Sequence, residues 1–62
     1  MRATVVITET MAFCKDDLRR AEDGYKYMSE EEKQMPVGIL LNDKINFLQG
    51  KISAYTDVLN LI

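Results

Sequence analysis

The chain has 62 residues, a formal net charge of −2 and a sequence pI near 4.9. A chain of this length forms one small domain, here residues 1–62, and buries only roughly 60% of its unfolded surface. With one cysteine, Cys14, and no histidine, it has no internal disulfide and lacks the ligands of an ordinary zinc site. The acidic balance argues against a nucleic-acid or anionic-membrane binder. Small domains without such supports usually gain stability by oligomerisation.

Residues 1–8 are predicted to form an arm. Residues 4–8 are all β-branched (Thr4, Val5, Val6, Ile7 and Thr8), which favours a short strand. The alternative is that residues 3–8 are the first turns of the following helix, with packing overriding propensity. The apolar run is too short for a signal peptide or a membrane span, and together with the lone thiol it predicts a cytoplasmic location without membrane contact.

A first helix is predicted over residues 9–28, with Thr8 or Thr10 as its N-cap. Its apolar residues alternate three and four apart and form one seam: Met11, Cys14, Leu18, Ala21, Tyr25 and Met28. Cys14 lies on this seam, and burial there predicts a structural thiol rather than a reactive one. Gly24 interrupts the pattern at a cost of about 1 kcal/mol relative to alanine.

A second line on this helix repeats every seven residues and consists of Phe13, Arg20 and Tyr27, with Arg19 and Lys26 beside it. Aromatic rings around a guanidinium can stack on a base or hold a carboxylate or phosphate. The alternative is that the rings widen the core stripe while Arg20 reaches water. These five residues are the candidate surface for a partner or ligand.

The carboxylates lie mostly opposite the apolar seams, which is typical of a solvated helix face. Asp16 is placed to pair with Arg20, and Glu22 with Lys26, at four-residue spacing. Without histidine the chain lacks the usual base of a nucleophilic site. We therefore expect no enzyme activity, no catalytic or metal-binding residue and no cofactor.

Residues 29–35 are predicted to connect two long helices. Ser29 and Glu32 have the spacing of a capping box, and Pro36 begins a bend that continues through Val37 and Gly38. A short connection of this kind makes the two long helices antiparallel neighbours.

A second helix is predicted over residues 36–61, with a longer seam: Leu41, Ile45, Leu48, Ile52, Tyr55, Leu59 and Ile62. A further apolar line lies beside it and repeats every seven residues: Leu40, Phe47, Ala54 and Leu61. Together with Val58, these residues are the candidate oligomer interface. Lys44 and Lys51 flank the seam. Their stems are expected to cover it, or else their charges line a positive groove between protomers that holds a small anion.

These patterns predict an all-α fold, an antiparallel helical hairpin that assembles with itself into a helical bundle, a dimer or higher oligomer. The predicted function is that of a non-enzymatic adaptor, inhibitor or regulator with a protein partner. The analogy is with phage and mobile-element accessory proteins, among which small acidic helical proteins are common. The alternative is an oligomer that holds an anionic metabolite or nucleotide between protomers. Nucleic-acid binding ranks last, because only Arg2 supplies a cation in the arm.

Overall fold

A computed structural model describes residues 2–61, and three helices account for nearly all of this range. They are α1 (Arg2–Lys26), α2 (Glu30–Gln34) and α3 (Pro36–Leu61). The predicted all-α class is confirmed, since the described residues contain no strand. Pro36 is the first residue of α3, where its missing N–H costs no hydrogen bond and its fixed φ suits the helix.

The two long helices lie side by side and approach each other at two levels. The Thr56 hydroxyl oxygen on α3 is 3.5 Å from the Met11 sulfur, in the first half of α1. At the second level, a Cβ added to Gly24 would lie 3.6 Å from Leu41 Cδ2. The Cα radius of gyration is 14.2 Å, whereas a compact domain of this length has about 10.6 Å. The described chain is therefore elongated.

The core lies between α1 and α3 and is small. The buried apolar side chains are Cys14 and Ala21 on α1 and Ile45 and Leu48 on α3. The other described members of the two seams are half-buried, and Ile62, the last predicted member, lies outside the described residues. Two of the four core side chains are small, so the hydrophobic stabilisation that this core supplies is modest.

The prediction of a strand or arm over residues 3–8 is wrong, because α1 already begins at Arg2. Ile7 is half-buried on the side of α1 that faces α3, and this burial outweighs the preference of β-branched residues for strands. The Thr8 hydroxyl donates to the Thr4 carbonyl at 2.8 Å, and the Thr10 hydroxyl donates to the Val6 carbonyl at the same distance. Neither threonine is therefore an N-cap; both hydroxyls bond within the helix.

The predicted capping box is present at the start of α2. The Glu32 amide donates to the Ser29 hydroxyl at 3.2 Å, and the Ser29 amide donates to the Glu32 carboxylate at 3.0 Å. Hydrogen bonding to Ser29 lowers the pKa of Glu32 below its usual value. The larger effect comes from the Ser29 backbone and the smaller from its side chain. The connection predicted over residues 29–35 thus contains one short capped helix.

Gly38 is buried where α2 packs against the first turn of α3. A Cβ at this position would lie 2.5 Å from Lys33 Cα and 2.6 Å from the Lys33 carbonyl oxygen. Real Cβ atoms do not approach backbone this closely, so the absence of a side chain is what lets the connection fold back onto α3.

Candidate interaction surface

Each long helix has two flanks, one on either side of its buried seam, because an α-helix turns by about 100° per residue. Met11 lies towards one flank of α1 and Thr56 towards one flank of α3. Because these two side chains contact each other, their flanks are on the same side of the helix pair. The opposite flanks carry Phe13 on α1 and Phe47 on α3. These two rings therefore lie on one broad side of the pair.

Large exposed apolar side chains are concentrated on this side, which we call the apolar face. Its exposed members are Val6 and Phe13 on α1 and Val37, Leu40, Phe47 and Val58 on α3. Phe13 is 72% exposed and Phe47 is 64% exposed. A concentration of exposed apolar side chains of this kind, drawn from two helices, is typical of a surface that another macromolecule covers.

The opposite broad side, which we call the polar face, carries exposed charges and amides. Helical geometry places five residues of α1 there (Thr8, Lys15, Arg19, Glu22 and Lys26) and five of α3 (Asn42, Gln49, Ser53, Thr56 and Asn60). The remaining large exposed apolar residues lie at the outer edges of the pair or in the connection, and they are Val5, Tyr27, Met35, Ile39 and Leu61. Within residues 2–61, the polar face thus carries no large exposed apolar side chain.

The candidate oligomer interface is exposed throughout, and most of it lies on the apolar face. Leu40, Phe47 and Val58 belong to that face. Ala54 and Leu61 lie further round, towards the outer edge of α3, and Leu61 is 88% exposed. The accessible surface of 4837 Å² exceeds the roughly 4,100 Å² of a typical folded monomer of this mass. An elongated helix pair exposes more surface than a compact domain of the same mass, which accounts for the excess.

The five candidate residues of α1 do not form one surface. Phe13 joins the apolar face, whereas Arg19 and Lys26 point to the polar face. Arg20 and Tyr27 lie at the outer edge of α1, where the Tyr27 ring is 81% exposed. The seven-residue line of Phe13, Arg20 and Tyr27 thus runs from the apolar face to the outer edge of α1, and Arg19 and Lys26 lie apart from it.

The two arginines share one carboxylate. Arg20 Nη2 is 2.8 Å from one oxygen of Asp16, and Arg19 Nη2 is 3.0 Å from the other. The predicted pairing of Asp16 with Arg20 is confirmed. Both guanidinium groups are well exposed to water and the Asp16 side chain is partly exposed, so these ion pairs contribute little to stability. Glu22 and Lys26, by contrast, form no ion pair in the described structure.

Lys51 is partly covered, as its position beside the seam predicts. It is half-buried, and its ammonium lies 5.3 Å from the centre of the Phe47 ring. The stem covers apolar surface while the charge lies close to the ring face, where a cation is attracted to the aromatic quadrupole. Lys51 is thus a charged member of the apolar face.

Sequence reasoning missed Val6, Val37 and Asp17 as members of the apolar face. Val6 precedes Phe13 by seven residues and so extends its line, a signal that the strand interpretation of residues 3–8 concealed. Asp17 was not singled out among the carboxylates, although helical geometry places it between Phe13 and the connection end of the apolar face.

Among residues 2–61, no group of three or more histidine, cysteine or carboxylate side chains is arranged to hold a metal ion. None of the described helices is long and apolar enough to span a membrane. Comparison of the chain with models of protein families, with curated proteins and with solved structures gives no match.

Proposed function

We propose that this chain is a non-enzymatic interaction protein, an adaptor, inhibitor or regulator, whose working form is a bundle of two hairpins. The observation that carries this proposal is the contrast between the two broad sides of the α1–α3 pair. One hairpin needs a single apolar seam on each helix, and here each helix carries a further apolar line on the same side. A second copy covers that side in a four-helix arrangement.

The size of the apolar face supports a stable assembly. The pair measures 47 by 15 Å between Cα atoms, so the face offers roughly 700 Å², close to the roughly 800 Å² per partner of a standard interface. Self-association also provides the burial that a core of four small or medium side chains does not. In such a dimer both polar faces point outwards and remain free to meet a protein partner.

The test is the mass in solution by light scattering, with two variants that add the same charge. The native chain and Gln49→Glu, on the polar face, should both be dimers or larger. Phe47→Glu, on the apolar face, should be monomeric or unfolded, because the interface loses the ring and must bury a carboxylate, whose desolvation costs more than the neighbouring Lys51 ammonium returns. A folded native monomer would overturn self-association and leave the apolar face as a surface for a different protein.

A second candidate function, binding of an anionic ligand, draws support from the two guanidinium groups that converge on Asp16. Both are well exposed, and paired guanidiniums match the geometry of phosphate. A ligand at a hundred times its Kd raises the free energy of unfolding by about 2.7 kcal/mol. A rise in Tm with ATP or inorganic phosphate that is lost in Arg19→Ala would support this function, and an unchanged Tm would reject it.

A further inference from the structure

We propose that the two copies stack with α1 of one lying on α3 of the other, so that Asp17 of each copy pairs with Lys51 of the other. This inference rests on the proposed function, because it specifies how two apolar faces meet. It concerns two charged residues of that face, because an apolar interface must either pair or exclude its charges. A third charge, that of Lys44, lies on the same flank seven residues before Lys51 and is exposed.

Asp17 on α1 and Lys51 on α3 lie on the flanks that form the apolar face. In the described part of the chain, neither side chain forms an ion pair within its own copy. Two approaches between the helices, Met11 with Thr56 and Gly24 beside Leu41, show which residues of α1 and α3 lie at the same height along the pair. Interpolating between them puts Asp17 about two residues, or about 3 Å along the helix axis, from the height of Lys51.

Two symmetric arrangements bury the apolar face. With the two-fold axis parallel to the helices, each α1 lies on the other copy's α3 and every residue keeps its level. Asp17 then faces Lys51 of the second copy, and symmetry makes this contact twice. With the axis across the helices, α1 lies on α1 and α3 on α3. The two Asp17 side chains, and likewise the two Lys51 side chains, then come within about one to two helical turns of each other.

Charge complementarity therefore favours the first arrangement. Opposite charges across an interface fix its register, whereas like charges brought together oppose association. The half-burial of Lys51 in the single chain means that its stem is already ordered over Phe47, so less side-chain freedom is lost when a carboxylate arrives.

Gly24 is compatible with this arrangement. It lies on the α1 flank of the apolar face, in the last turn of α1, two residues before the helix ends at Lys26. Within one copy a Cβ here would make only ordinary contact with Leu41, so packing in the hairpin does not require glycine. In the first arrangement the exposed Leu40 side chain of the second copy lies near this level, and the missing side chain of Gly24 leaves room for it.

The experiment uses charge reversal in the full chain. Asp17→Lys places two lysines opposite each other in the homodimer, and Lys51→Asp places two aspartates opposite each other. Each variant alone should dimerise at least about tenfold more weakly than the native chain. An equimolar mixture should restore dimerisation, because the heterodimer has a lysine facing an aspartate at both contacts. Native mass spectrometry identifies the heterodimer by its mass, and sedimentation gives the Kd.

Glu22→Lys and Lys15→Asp make the same charge changes on the polar face and should leave the Kd unchanged. If the single variants dimerise as tightly as the native chain, the helices stack like on like and the inference is wrong. If the single variants weaken dimerisation but the mixture does not restore it, the two residues act within one copy, which also overturns the inference. A native chain that stays monomeric overturns the proposed function instead.

Discussion

The two broad sides of the α1–α3 pair are built from the same two helices and differ sharply in chemistry. The polar face carries charges and amides, and the apolar face carries six large exposed apolar side chains, including Phe13 and Phe47. Two helices that only pack on each other gain nothing from a further apolar line. The difference is what the proposed function explains: if a second copy covers the apolar face, the α1–α3 pair is one layer of a two-layer assembly.

The largest effect is expected from removing a ring of the apolar face on α1. Phe13 is 72% exposed in the single chain, so Phe13→Gln should change the fold of one copy very little. Burying a phenylalanine is worth roughly 1.5–3 kcal/mol, and each dimer loses two rings, so the Kd should rise at least about a hundredfold. Sedimentation at several concentrations measures this.

Lys15→Gln, two residues away on the polar face, is the matched control for Phe13→Gln and should leave the Kd unchanged. If both variants raise the Kd of dimerisation equally, the two faces contribute equally to dimerisation. The contrast between the faces would then no longer support the proposed function.

The next effect concerns the end of the pair where α2 closes over α3. Gly38→Ala forces a Cβ against the backbone of Lys33, and overpacking of this kind costs roughly 1–3 kcal/mol. Urea unfolding should show the loss in the free energy of unfolding. Because Gly38 is remote from Asp17 and Phe13, a variant that still folds should keep its Kd. If Gly38→Ala is as stable as the native chain, α2 does not pack closely against α3 at this position.

Much of the fold is predictable from local sequence. The three-and-four spacing of both seams, the capping box at Ser29 and the position of Pro36 at the start of α3 depend on residues that are close in the chain. The helix over residues 3–8 was not predictable in this way. Its β-branched residues favour a strand locally, and only contact with the distant end of α3 reverses that preference.

The apolar line on each helix was predictable from the sequence, but the face that the two lines form together was not. Each apolar line could be recognised from seven-residue spacing on its own helix, and the line through Leu40 and Phe47 was identified as an interface. Whether the two lines share a side depends on the direction and rotation of α1 relative to α3, which contacts such as that of Met11 with Thr56 determine. Arg19 and Lys26 were grouped with Phe13 for a different reason: each is next in sequence to a member of its line, although the turn of about 100° per residue places both on the polar face.

A smaller effect is expected at the capping box, which belongs to neither face. Ser29→Ala should lower the free energy of unfolding by about 1 kcal/mol, because the Glu32 amide loses its acceptor. The pKa of Glu32 is lower in the folded chain than in the unfolded chain. Its contribution is therefore present above the unfolded pKa and is lost as the pH falls through the folded pKa.

Urea unfolding across the acidic range measures this contribution. Glu32→Gln keeps an acceptor oxygen but does not titrate, so it should flatten the part of the pH dependence that arises from the cap. An unchanged pH profile in Glu32→Gln would show that carboxylates elsewhere govern acid destabilisation. Neither cap variant should alter the Kd, and a change there would extend the interface to α2.

The smallest effect, and the only stabilising one, is expected at Gly50. A Cβ at this position meets no atom within 4 Å, and glycine inside a helix is less favourable than alanine by roughly 0.5–1 kcal/mol. Gly50→Ala should therefore raise the free energy of unfolding by that amount without changing the Kd, because Gly50 lies at the outer edge of α3, opposite its seam. If Gly50→Ala instead weakens dimerisation, the interface extends around α3 beyond Phe47 towards Ala54 and Leu61. The assembly surface would then be centred on α3 rather than on the face that α3 shares with α1.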